Sequence, residues 1–478
     1  MNADPLGGLT GTFSGRLVTD PEAMAPFLVD WRGLWRGDAL AVVQPDTAAD
    51  VATVMRWASS TNTPVTPQGG NTGLSGGSVP EAGGRGIVLS LTRLNRIRRV
   101  DPVNNSMTVE AGCVLAQVQA TADEADRLFP LSLAAEGSCT IGGNLAANAG
   151  GTGVLRYGNA RELCLGLEVV TPAGEIWDGL RGLRKDNTGY SLRDLFVGSE
   201  GTLGIITAAV LKLFPRPVAR VAAFASVTSP HEALSVLTLL QAKLGDGLTG
   251  FELMSDVCLD LVREHVPAAR LPVETGGAWY ILLEVSDLAS EERATAGLQD
   301  ALMAAYEAGH LIDVAFASSL AQTQDFWSLR ENISEAQSAA GKTIKHDIAV
   351  PLSDIARFID EATSAVLARH PDVRLVIFGH MGDGNLHFNM SPAPGEAAAT
   401  FLARQDDINR IVHDLVASHA GSISAEHGLG VLRREEAARY KSPVEIEMMR
   451  SIKTALDPAG IMNPYKVLDE PLQARRSS

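Results

Sequence analysis

The chain opens with polar and apolar segments of strand and helix length in turn. The apolar run Leu40–Gln44 reads as a short strand, and Val51, Val54, Met55 and Ala58 recur at helical spacing behind it. Thr47 and Asp50 have the spacing of a capping box for that helix. A strand ending at Val65 leads into a glycine-rich stretch. Ile87–Ser90 and Met107–Glu110 are further strands, and Val114–Arg127 is an amphipathic helix. Leu163–Val170, a turn at Thr171–Gly174 and Glu175–Trp177 predict a β-hairpin. The apolar run Gly204–Phe214 stops at Pro215-Arg-Pro217, which marks a domain boundary.

Beyond that boundary strands alternate with longer helices. Strands are expected at Val221–Val227, Trp279–Val285, Ile312–Ala317, Thr343–Val350 and Leu375–Phe378. Helices are expected at Pro230–Leu244, Glu291–Ala308, Leu352–Arg369 and Glu396–His419, with a last one around Val444–Leu456 that ends at Asp457-Pro458. The pattern predicts an α+β domain, an antiparallel sheet covered by helices. Three segments follow: 1–217, 218–440 and a C-terminal helical segment 441–478.

Composition is globular, 45% hydrophobic and 20% charged over 478 residues, long enough for two or three domains. The net charge of −16 argues against a nucleic-acid surface, which needs a basic stripe to displace counterions. Cys113, Cys139, Cys164 and Cys258 show no CxxC pairing and read as buried, reduced thiols of a cytosolic protein. The N-terminus lacks the basic and apolar regions of a secretory signal, and no apolar run approaches the ~20 residues of a membrane helix. A cytoplasmic location is expected.

Glycine is abundant at 46 residues, and it clusters. Pro67-Gln-Gly-Gly-Asn-Thr-Gly-Leu-Ser-Gly-Gly-Ser-Val-Pro80 is a loop whose successive N–H groups can turn inward onto phosphate oxygens. Gly137–Gly153 and Gly198-Ser-Glu-Gly-Thr-Leu-Gly204 are two more clusters. Any one of them is compatible with a glycine-rich turn; together they suggest backbone folded tightly around a ligand. Gly245-Asp-Gly-Leu-Thr-Gly250 matches G-x-G-x-x-G but follows a helix rather than a strand, so it reads as a turn.

These loops, with Arg156-Tyr157-Gly158 and Leu183-Arg-Lys-Asp-Asn-Thr-Gly-Tyr190, resemble the FAD domain of the vanillyl-alcohol oxidase superfamily. The resemblance implies a two-subdomain, p-cresol methylhydroxylase-type (PCMH-type) FAD-binding domain. In it Pro67, Gln68, Gly69, Gly70, Asn71, Thr72, Gly76, Gly77 and Ser78 would grip the pyrophosphate. Glu136, Gly137, Thr140, Gly142, Gly143, Asn144, Ala147, Gly151, Tyr157 and Gly158 would surround the adenosine and isoalloxazine portions with Glu200, Gly201, Gly204, Ile205, Ile206 and Asn463. Members that hold FAD covalently carry a His in or near the first loop or a Cys in the second region. Asn71-Thr72 stand in this first loop, so non-covalent FAD is expected.

Phe378-Gly-His-Met-Gly-Asp-Gly-Asn-Leu-His-Phe-Asn389 places two histidines seven positions apart across a Gly-Asp-Gly-Asn turn. Strand, tight turn and strand would bring His380 and His387 together, and Ser424-Ala-Glu-His-Gly-Leu-Gly430 adds Glu426 and a third imidazole. Taken singly each is an ordinary hydrogen-bonded histidine. As a set, His380, His387 and Glu426 suit catalytic Zn²⁺.

With Asn463-Pro-Tyr-Lys466, these motifs resemble the FAD-linked D-2-hydroxy acid dehydrogenase branch, from about Trp31 to Leu468, and within it the D-2-hydroxyglutarate dehydrogenase family. Ser334 stands where a relative has Thr, and Tyr465 where many members have Gly. The resemblance implies that His427 is the base, that hydride passes to flavin N5, and that an antiparallel-sheet cap domain binds substrate. Asn389 would orient substrate oxygens.

Arg330 lies one helical turn before Ser334, on the same face of one helix, and Lys345 sits on the next strand. By resemblance Arg330, Ser334 and Lys345 would hold the distal carboxylate of a five-carbon diacid, Arg as a fork and Lys as a point charge. The expected reaction is oxidation of a D-2-hydroxy acid, foremost D-2-hydroxyglutarate, to the 2-oxo acid. D-lactate, glycolate, D-malate and D-mandelate remain alternatives, as do a flavin reductase and a non-catalytic metal-binding module. Electron-transfer flavoprotein or a quinone is the expected acceptor, and a homodimer the expected assembly.

Overall fold

The computed structural model describes residues 6–274 and 277–468, so the end of the segment 441–478 lies outside them. The chain divides into two compact units. The first comprises residues 1–150, 158–216 and 426–478, the second 151–157 and 217–425. The chain enters the second unit at Pro217, beside the Pro-Arg-Pro break, and returns at Glu426 rather than at the expected 441.

In the first unit the strands Gly15–Val18, Ala41–Pro45, Ile87–Ser90 and Val65–Gln68 form one sheet in that spatial order. Gly15–Val18 runs antiparallel to its neighbour, and the other three are mutually parallel. The helix Ala48–Thr61 links two of these strands, and the Thr47 side chain caps it by accepting from the Asp50 N–H. Val51, Val54, Met55 and Ala58 are fully buried in one core with Val43, Val65 and Leu89, as their spacing predicts. The strand expected to end at Val65 instead begins there and carries Pro67 and Gln68. Ile97–Asp101, Ser106–Glu110, Ile205–Lys212, Cys164–Val170 and Ile176–Gly179 form an antiparallel five-stranded sheet. Its hairpin pairs Val170 with Ile176.

The second unit is built on a seven-stranded antiparallel sheet in the order Asp313–Phe316, Ala219–Val227, Trp279–Asp287, Leu248–Ser255, Arg374–Gly379, Asn385–Ser391 and Asp347–Ala349. Its central strand, Leu248–Ser255, is buried at every position and was absent from the sequence expectation. Phe224, Met254, Leu282, Val376 and Phe378 share one core with Leu259, Phe326 and Ile333, so the helices Asp256–His265, Leu320–Glu331 and Ile333–Ala339 cover that face.

Three expectations are corrected. Only Asp347–Ala349 of the strand Thr343–Val350 forms, which leaves Lys345 before it. The helix expected at Glu396–His419 is split into Ala398–Leu402 and Gln405–Ser418. Arg330 and Ser334 lie on successive helices that meet at Asn332. Arg330 is buried and Ser334 exposed, so the two do not share a face. All four cysteines are buried and free.

Candidate functional site

The glycine clusters of the first unit meet as a backbone cradle. Pro67 and Gln68 end a parallel strand, and the loop that follows packs on the segment before the helix Ile141–Ala147. A Cβ on Gly69 would lie 2.3 Å from Thr140 Oγ1, and one on Gly70 2.0 Å from the Ser138 carbonyl. Only glycine permits that approach. Asn71 adopts φ 54° and Gly76 φ 72°. The Asn71 Nδ2 donates to the Val29 carbonyl at 2.8 Å, and its Oδ1 accepts from Ser78 Oγ at 2.7 Å, which holds the loop's two ends together.

The third cluster joins the same cradle. The Glu200 N–H donates to the Ala146 carbonyl at 2.9 Å, and Gly201 sits against Pro67 with φ 71°. Ile205 and Ile206 start the strand Ile205–Lys212. The C-terminal segment closes over the first loop. Asn463 Nδ2 donates to the Gly77 and Glu200 carbonyls at 2.9 and 2.7 Å. Ser75 Oγ donates to the His427 carbonyl at 3.1 Å.

These residues fit FAD. A glycine-rich loop of this kind can offer successive backbone N–H groups to phosphate oxygens. Thr140 Oγ1 and Asn463 Oδ1 are buried without a hydrogen-bond partner, as expected of polar atoms meant for a ligand. Gly142, Gly143, Asn144 and Ala147 lie on the helix Ile141–Ala147, and Gly158 is in the same unit. Glu136 Oε1 accepts from Ser132 Oγ at 2.6 Å. Gly151 and Tyr157 fall in the short segment assigned to the second unit.

Burial pushes the Glu200 carboxyl up, against the hydrogen bonds it accepts from the Leu429 and Gly430 N–H groups. Burial pulls the Lys466 amine down to about 8, against the attraction of Glu81 and Glu200. Beside it Tyr465 has φ 58°, a left-handed conformation that favours glycine.

In the second unit the strands Arg374–Gly379 and Asn385–Ser391 form the expected hairpin, with Phe378 opposite His387. Gly384 turns the chain at φ 86°, where a Cβ would lie 2.4 Å from the Val350 carbonyl. The hairpin sets the His380 and His387 rings 5.9 Å apart at 74°. The Ala425 N–H donates to the carbonyl of Asp347, the residue opposite His387, at 3.2 Å, and Glu426 follows directly. His380, His387 and Glu426 are a donor set that could hold a metal ion.

Glu252, on the central strand, was not among the sequence candidates. It is 1% exposed and accepts from His380 Nδ1 at 2.6 Å and from Arg330 Nε at 2.7 Å. Burial opposes its ionisation, but the attraction of His380 and Arg330 outweighs burial and holds the carboxyl below the usual range. The Arg330 guanidinium also lies over the Phe378 ring, 4.7 Å from its centroid. The one signal in the sequence was an acid inside the apolar run Phe251–Met254. Asn389 is buried; its Oδ1 accepts from the His346 N–H at 3.0 Å and its Nδ2 donates to Gln337 Oε1 at 3.1 Å. Lys345 and Ser334 are exposed, and His427 is half-buried in the first unit.

Known proteins agree with this architecture. Residues 39–179 match the FAD binding domain family and residues 216–467 the C-terminal domain of FAD linked oxidases. The chain is 38% identical to the mitochondrial D-2-hydroxyglutarate dehydrogenase of Bos taurus over 98% of its length and 84% of that protein. It is 37% identical to the D-2-hydroxyglutarate dehydrogenase of Xanthomonas citri pv. viticola, over 95% and 94%. Its fold matches the 4-ethylphenol oxidase of Gulosibacter chungangensis at TM-score 0.73 and 19% identity, over 99% and 98%, and a p-cresol methylhydroxylase at 0.75 and 16%, over 95% and 94%. Among the described residues no helix is long and apolar enough to cross a membrane. With an FAD binding domain match, a C-terminal FAD linked oxidase domain match over more than half of the chain, and these relatives, the chain belongs to the FAD-linked oxidase family.

Proposed function

We propose that this FAD-linked oxidoreductase oxidises D-2-hydroxyglutarate to 2-oxoglutarate, with non-covalent FAD and a divalent metal, Zn²⁺ by its donor set. The observation that carries the reading is the buried Arg330 guanidinium, fixed in plane by Glu252 and Phe378 in the unit that holds His380 and His387. Nε is engaged by Glu252, which leaves the Nη edge to take a carboxylate as a fork. The names of the relatives support the same substrate.

FAD, when bound, supplies the acceptor for the hydride from C2. A metal on His380, His387 and Glu426 supplies Lewis acidity that favours loss of the hydroxyl proton. The chain does the rest. His427 accepts that proton, Arg330 with Lys345 binds the far carboxylate, and Asn389 keeps its strand in register with His346 while offering its remaining N–H to substrate. Non-covalent attachment rests on Asn71-Thr72 in the first loop and on the burial of all four thiols. Electron-transfer flavoprotein or a quinone takes the electrons, and the working unit is a homodimer.

Anaerobic bleaching of the flavin tests the substrate. D-2-hydroxyglutarate should bleach it in a rapid single turnover, and its L-enantiomer should not. Bleaching by D-lactate at equal or greater kcat/KM would overturn the diacid assignment.

A further inference from the structure

The central strand Leu248–Ser255 is an unfavourable place for an acid. All eight residues are buried, and Glu252 lies among Phe251, Leu253 and Met254. A carboxylate there is tolerated only if its charge is met, and an apolar set replacing the acid together with its partners would often be no less stable. Glu252 meets two partners of different kinds. Its Oε1 takes the Nδ1 hydrogen of His380, just beyond the strand Arg374–Gly379, and its Oε2 takes the Nε hydrogen of Arg330, from the helix Leu320–Glu331. His380 and Arg330 are the residues to which the proposed function assigns metal binding and carboxylate binding, and one carboxylate orients both.

We propose that Glu252 is a positioning residue that couples the metal centre to recognition of the substrate's far carboxylate, an inference that rests on the function proposed above. An imidazole whose Nδ1 hydrogen is committed to a carboxylate must present Nε2 as its lone pair, with the ring held in one rotamer and its basicity raised. On the other side, a guanidinium anchored through Nε and stacked on Phe378 has one orientation left for its Nη edge. Since both anchors are oxygens of one side chain, a shift of Glu252 moves both ends of the substrate site together. Strand register supports this: Leu253 is paired with Gly379, so Glu252 is one position from the residue that sets the path of His380.

The test is Glu252→Gln in the holoenzyme. The amide keeps the volume and one acceptor for Arg330 but turns an N–H toward His380, whose Nδ1 must then accept, which shifts the proton to Nε2. The variant should keep its FAD, lose metal to a competing chelator at an affinity about 10–100-fold weaker than wild type, and show a fall in the ratio of kcat/KM for D-2-hydroxyglutarate over D-lactate. Imidazole ¹⁵N NMR of the wild-type protein, with the His380 signal assigned by its loss in His380→Gln, should show the proton on Nδ1; this arm needs no folded Glu252 variant. A proton on Nε2, or a folded Glu252→Gln with unchanged metal affinity and substrate ratio, would overturn the role of Glu252. A wild-type protein that holds no metal would refute the metal centre instead, and the tautomer and the substrate ratio would still decide what Glu252 does.

Discussion

Glu200 Oε1 accepts the backbone N–H of Leu429 at 2.8 Å, and its other oxygen accepts that of Gly430 at the same distance. Glu200 itself has φ 52°, and Gly428 has no room for a side chain, since a Cβ there would lie 2.8 Å from Glu200 Oε1. The motif that reads as a flavin contact therefore also clamps the segment bearing His427 onto the cradle. On the proposed function His427 is the base and must be held closely in place, and a carboxylate gripping two consecutive amides nearby does this without using the imidazole.

The buried amine beside this clamp should be visible in the pH dependence of stability. The folded-state pKa of Lys466 is lowered to about 8 from 10.5, so between those values the unfolded chain binds more protons and stability rises with pH. The Lys466 contribution is fully present above 10.5 and is lost as pH falls through about 8. The wild-type Tm minus that of Lys466→Met should therefore increase from pH 7 to pH 10. A difference that stays flat or decreases contradicts a buried, strained ammonium.

The cradle should discriminate between neighbouring glycines. In Gly70→Ala the new methyl meets the Ser138 carbonyl at 2.0 Å, whereas at Gly73 nothing lies within 4 Å. Flavin content after gel filtration should collapse in Gly70→Ala and stay near one per chain in Gly73→Ala. Equal retention by both would mean that the two loops do not pack as described.

Metal removal should stop turnover while leaving the flavin in place, because neither His380 nor His387 belongs to the glycine loops proposed to hold it. His427→Ala should keep both groups and lose about 10²–10⁴-fold in kcat. Full activity in metal-free protein, or near-normal rates in His427→Ala, would remove those assignments.

Arg330→Met keeps the aliphatic stem but deletes the fork. It should cut kcat/KM for D-2-hydroxyglutarate at least about 100-fold, and that for D-lactate far less, because sites built around polar partners reject analogues that lack them. Equal losses on both would place Arg330 at the C1 carboxylate shared by the two substrates.

The sequence by itself determined the elements whose signal is local. The helix Ala48–Thr61 shows its cap and its apolar face in consecutive residues. The glycine clusters declare a close backbone approach, and His-Met-Gly-Asp-Gly-Asn-Leu-His can hardly be other than a hairpin. Tertiary structure alone decided what depends on distant partners. Leu248–Ser255 lacks clean alternation, and its first residues, Leu248–Gly250, fall in the run that reads as a turn; only Gly245–Gly247 turns, and the rest is a strand because Trp279–Asp287 and Arg374–Gly379 pair with it on either side. Glu252 was invisible for the same reason: its partners lie 78 and 128 residues away, and an acid in an apolar run means nothing until they arrive. Arg330 was found, but its neighbour was misjudged. Helical spacing assigned it to Ser334, whereas the break at Asn332 separates the two, and burial against a charged strand residue is a long-range electrostatic fact that no local periodicity encodes.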